Sequence, residues 1–135
     1  MNYQSLIQKH LRLCIRDILL SAKNGGFEKS QHALITFSTH YPGVDISAKL
    51  KEDYIEEMTI ILQHEFWELD VSDHQFIVVL SFDDVYEKII VPFDAIIEYR
   101  DDSENIEFIF DLPSPSPDPN ALANNIIRLD DFRKK

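Results

Sequence analysis

Gln75-Phe76-Ile77-Val78-Val79-Leu80-Ser81-Phe82, then Asp83-Asp84, then Glu87-Lys88-Ile89-Ile90-Val91-Pro92, is the stretch that decides the fold. Phe76, Val78, Leu80 and Phe82 recur at every second position, the repeat of a strand with one face buried. Two aspartates turn the chain, and Pro92, which has no amide hydrogen to give a ladder, ends the second run. A strand, a tight turn and a strand leave no room for a crossover helix, so this pair is antiparallel.

The same period extends in both directions. Ala33, Ile35 and Phe37 alternate with Leu34, Thr36 and Ser38. Tyr41-Pro42-Gly43 is a turn, and Ser47 caps a short helical passage through Leu50 to Tyr54. Residues 59–62 and 66–71 read as one strand with an irregularity between them, and Ser72-Asp73-His74 turns the chain. Residues 93–99 and 106–110, separated by the polar 100–105, complete six strand-like runs. The expected fold class is mainly β, a small antiparallel barrel or tightly rolled sheet, preceded by an N-terminal helix.

That helix is expected over residues 3–23. Tyr3, Ile7, Leu11, Cys14, Ile18 and Ala22 recur at steps of three or four, Leu6, Leu13 and Leu20 at seven, and Asn24-Gly25-Gly26 stops the helix. Ile15 and Leu19 widen the apolar face. The seven-residue recurrence favours pairing with a second copy through Ile7, Leu11, Ile15 and Ile18. Cys14, the only cysteine, is expected to be a small buried thiol, and it excludes an intramolecular disulfide.

At the other end, Pro113, Pro115, Pro117 and Pro119 alternate with Ser114, Ser116 and Asp118, so residues 112–125 form neither a helix nor a central strand. Beyond them lies Ile126-Ile127-Arg128-Leu129-Asp130-Asp131-Phe132-Arg133-Lys134-Lys135, apolar and basic at once. A solvating tail has little use for four large apolar side chains, so this flexible segment reads as a docking peptide. The expected organisation is a dimerisation helix over 1–27, a body over 28–111, a linker over 112–125 and a docking tail over 126–135.

The formal charge is −11 over 135 residues; the last ten carry +2, leaving −13 on the rest. That balance opposes contact with a phosphate backbone. The N-terminus lacks a signal-peptide pattern and no apolar run is long enough to span a bilayer, so a cytoplasmic protein without a membrane partner is expected. His64-Glu65-Phe66-Trp67-Glu68 resembles the start of a zinc-protease helix but has Glu68 where the second histidine belongs. The other histidines are scattered, and there is no phosphate loop or nucleophile elbow. No metal, cofactor or enzymatic activity is expected. Gln63 interrupts an apolar run; on residues alone it lies on a solvent face, and if buried it needs partners that an extended peptide would supply.

His32 to Phe37 leading to Pro42-Gly43-Val44, Ile60-Ile61-Leu62-Gln63-His64-Glu65-Phe66-Trp67-Glu68-Leu69, Val78-Val79-Leu80-Ser81-Phe82 and Ile90-Val91-Pro92-Phe93 resemble the stringent starvation protein B family. The tail, with Arg128-Leu129-Asp130 and Phe132-Arg133-Lys134-Lys135, resembles its α-proteobacterial branch. The resemblance implies a dimeric adaptor for the ClpXP protease with an Sm-like barrel body. It would bind degradation-tag peptides of the ssrA type through Gln63, flanked by Leu62, His64 and Phe66, with Phe82. It would dock on the N-terminal zinc-binding domain of ClpX through Ile126, Ile127, Arg128, Leu129, Phe132 and Arg133. Two other classes are an Sm-like nucleic-acid module, which the acidic body opposes, and a dimerisation module without a client.

Overall fold

Asn2 starts the N-terminal helix, its Oδ1 accepting from the Ser5 amide at 3.1 Å. In the computed structural model, which describes residues 1–26, 31–63 and 68–113, this helix (α1) runs Tyr3–Gly25. It ends at Gly26, whose φ of 75° lets its amide return to the Ala22 carbonyl. The residues it buries are Arg12, Ile15, Leu19 and Ala22. Tyr3, Leu6, Ile7 and Leu13 remain exposed. Cys14 is also exposed, which corrects the expected buried thiol. The apolar band is wider than one contact can cover, and packing on the sheet selects the edge that carries Ile15 and Leu19.

Seven strands follow among the described residues: β1 Ala33–Ser38, β2 Glu57–Leu62, β3 Glu68–Val71, β4 Gln75–Phe82, β5 Val85–Pro92, β6 Ile96–Asp101 and β7 Ile106–Ile109. A short helix, α2 (Ala48–Asp53), lies between β1 and β2, capped by Ser47 Oγ on the Leu50 amide. All pairings are antiparallel. They form a four-stranded sheet in the order β2-β1-β6-β7 and a three-stranded sheet in the order β3-β4-β5.

Three expectations are corrected here. The sheets do not close into a barrel, because among the described residues no ladder joins one to the other. The run expected as one strand over 59–71 is two, since β2 pairs with β1 while β3 pairs with β4 in the other sheet. Residues 93–99 also divide. Phe93–Ala95 form a 3-10 turn after Pro92, with the Phe93 amide on the His74 carbonyl, and β6 begins only at Ile96.

The core lies between the inner faces of the sheets and α1. It takes Ala33, Ile35 and Phe37 from β1, Met58, Ile60 and Leu62 from β2, Phe76 and Val78 from β4, and Ile89 and Val91 from β5. The β4–β5 hairpin turns at Asp83 and Asp84, both at positive φ, 52° and 66°. That is the requirement of a two-residue loop matched to strand twist, and Asp meets it better than bulkier side chains. Gly43 (φ 96°) lets the 41–43 turn press against β5, for a Cβ there would stand 2.8 Å from Pro92 Cγ. Beyond that turn Asp45 exchanges two backbone hydrogen bonds with Ile90 and covers part of the β5 edge. Among the described residues no helix is long and apolar enough to cross a membrane.

Candidate functional site

The strand order leaves β2 at one margin of its sheet and β3 at one margin of the other. An edge strand presents unpaired amides and carbonyls, the donors and acceptors that an extended peptide uses when it adds to a sheet. Residues 63–67 link these two edges. Along β2, Met58, Ile60 and Leu62 are buried while Glu57, Thr59 and Ile61 are exposed. Gln63 continues the outward parity and is exposed.

The alternation that presents Gln63 removes its neighbour. Leu62 is fully buried in the core, beneath the exposed row that Gln63 continues. Phe82 lies half-buried at the end of β4, packed against the core, on the other sheet from Gln63. His64, Phe66 and the docking residues Ile126, Ile127, Arg128, Leu129, Phe132 and Arg133 lie outside the described residues. Of the helix residues expected at a dimer interface, Ile7 is exposed and Leu11 and Ile18 are partly buried. Ile15 is 0% exposed, committed to the core of its own domain.

A cleft of about 940 Å³ opens between the first half of α1, the 41–42 and 73–74 turns, and residues 92–94 and 111–113. Beneath it is a feature the apolar pattern of α1 concealed. Arg12 is buried and donates to the carbonyls of Phe93 (3.0 Å), Ile96 (3.0 Å) and Asp111 (2.9 Å), with its guanidinium 4.5 Å from the Phe110 ring centre. Burial pulls the Arg12 pKa below its usual value, opposed by Asp94, Tyr41 and Asp111.

Gln8 exchanges hydrogen bonds with Asp111, and the Tyr41 hydroxyl donates to the Pro113 carbonyl at 3.1 Å. Burial followed by Asp94 raises the Tyr41 pKa, against the effect of Arg12, so the hydroxyl stays protonated as a donor. Leu112 and Pro113, which the sequence places in the linker, therefore lie against the body. No local pattern encodes this clamp, because its partners stand between 72 and 103 residues apart in sequence. Among the described residues no group of His, Cys, Asp and Glu could hold a metal ion.

The family model for Stringent starvation protein B matches residues 5–127. The chain belongs to the stringent starvation protein B family. That is a family of protease adaptors. No curated protein matches the chain. The stringent starvation protein B match takes in α1 from Ser5 onward, both sheets, the Arg12 clamp and the proline-rich segment, and ends at residue 127.

Proposed function

We propose that this protein is a cytoplasmic ClpXP adaptor of the α-proteobacterial type. It binds ssrA-type tags on its body and tethers the tagged protein to the protease through its tail. The observation that carries this is the family match over residues 5–127. The body's contribution is an extended tag laid along the open edge beside Gln63, with main-chain hydrogen bonds supplying affinity and Gln63 and Phe82 supplying selectivity.

The tail's contribution is effective concentration. Residues 126–135 dock on the N-terminal zinc-binding domain of ClpX, ordered by Ile126, Ile127, Leu129 and Phe132 as anchors and by Arg128 and Arg133 as charges. The twelve residues of 114–125, beyond the Pro113 carbonyl held by Tyr41, span about 19 Å on average when flexible, so two weak contacts act as one strong one. The exposed stripe Tyr3, Leu6, Ile7 and Leu13 on α1 is the surface for a two-fold pairing that doubles tags and tails in one particle.

The test is the rate at which ClpXP degrades a tagged and an untagged substrate, with the full chain and with a chain lacking residues 126–135. Acceleration of the tagged substrate alone, lost on truncation while tag binding persists, is the expected result. Equal delivery by the truncated chain overturns the tethering mechanism.

A further inference from the structure

The outer face of the four-stranded sheet has no second layer among the described residues. Register places two rows across β2, β1, β6 and β7: Ile61, Leu34, Arg100, Glu107 and Thr59, Thr36, Glu98, Ile109. The hydroxyls of Thr36 and Thr59 meet at 2.7 Å, which confirms that the second row shares one face. Its margins are apolar and open, with Ile61 49% and Ile109 65% exposed, and Leu34 lies half-buried between them.

Among the described residues the charge on this face is incompletely compensated. Arg100 is the only cation in the two rows, and it ion-pairs with Glu98 (3.7 Å) and with Asp102 (3.0 Å). Glu107 sits opposite Arg100 and diagonal to Glu98. Burial, and then a side-chain hydrogen bond shared with Glu107, raise the Glu98 pKa against the effect of Arg100. A further cation would relieve the two carboxylates, and large apolar side chains would cover the isoleucines.

We propose that this face is the resting site of the chain's own C-terminal tail, residues 126–135. The tail has the matching chemistry: Ile126, Ile127, Leu129 and Phe132 with four basic against two acidic groups. It also has the reach. Pro113, held by Tyr41, is four residues beyond Ile109, at most about 14 Å away. The chain from there to Ile126 spans roughly 20 Å on average, against about 14 Å across four strands. Parking the tail in its own chain places any docking partner in competition with a ligand at millimolar effective concentration. On the adaptor reading above, the resting tail is withheld from the protease. Gln63 follows Ile61 along the same margin, so a tag bound there would displace it.

The test compares amide NMR spectra of the full chain with those of a full chain in which Arg128, Arg133, Lys134 and Lys135 are changed to Glu. Shift differences at Leu34, Ile61, Glu98 and Ile109, unchanged on dilution, are expected. In a background of Ile61→Ser and Ile109→Ser, both exposed sites, those differences should vanish. Identical spectra overturn the proposal, as do differences confined to α1. Differences that fade on dilution also overturn it, because the tail then sits on a second copy. No protease enters this measurement, so its failure leaves the adaptor reading standing, and failed delivery leaves the resting site standing.

Discussion

Arg12 Nη2 donates to the carbonyl of Asp111 at 2.9 Å, across 99 residues of sequence. One buried guanidinium thereby joins α1, the turn before β6 and the start of the C-terminal segment. The tether of the proposed adaptor is launched beside the helix and not from the end of β7.

Replacing Arg12 leaves three carbonyls without a donor in a desolvated place. Arg12→Ala should cost about 2–4 kcal/mol, since each buried group left unpaired costs about 1–3 kcal/mol and part of the gap will hydrate. Arg12→Lys should recover only part, because an ammonium cannot reproduce the planar fork that reaches three acceptors. Urea unfolding of the two variants measures the order; equal stability of Arg12→Ala and the parent would remove the clamp from the stability of the fold.

The parity of β2 separates binding from packing. Gln63→Ala, at an exposed position, should leave stability within about 0.5 kcal/mol and weaken binding of a labelled tag peptide several-fold. Leu62→Ala should do the reverse, lowering stability by about 2–5 kcal/mol with tag affinity of the remaining folded protein little changed. Fluorescence anisotropy alongside thermal melts reads both, and undiminished affinity for Gln63→Ala takes that residue out of the site.

On α1 the two faces should give opposite signatures. Ile7→Asp, on the exposed stripe, should shift a dimer to monomer with the melting temperature of the folded chain nearly kept. Ile15→Asp buries a charge in the core and should unfold the protein before any question of assembly arises. Analytical ultracentrifugation with circular dichroism distinguishes them, and a parent chain that is monomeric at micromolar concentration ends the pairing argument.

Asp101 ties the β6–β7 turn to the start of β1. Burial lifts its pKa, but hydrogen bonds from Ser103 Oγ (2.6 Å), the His32 amide (3.2 Å) and the Ser103 amide (2.9 Å) outweigh that and hold it below the usual range. A carboxyl depressed by folding stabilises the native state above its unfolded pKa of about 3.9, and that contribution is lost as pH falls through the lower folded value. Asp101→Asn should therefore be less stable at pH 7 by about 1–3 kcal/mol, with the gap closing below about pH 4. Glu98 has the opposite sign: its folded pKa is raised, chiefly by burial, so its contribution is present at low pH and lost as pH rises. Melting curves of Asp101→Asn and Glu98→Gln from pH 3 to 7 should diverge in opposite directions.

Period-two runs and turn residues determined by themselves that this chain is a helix followed by antiparallel strands, because side-chain alternation and the conformations open to Gly, Pro and Asp are local properties. Quoted motifs likewise carried the family. Tertiary structure decided what no local pattern encodes. It divided residues 59–71 between two sheets, left those sheets open, and chose Ile15 and Leu19 over Tyr3 and Ile7 as the buried edge of a helix with more apolar surface than one contact needs. It also set the parity that buries Leu62 and presents Gln63, and brought Arg12 to Asp111. Such choices depend on which distant segment covers a face, and a buried arginine is stable only where three carbonyls from remote parts of the chain converge on it.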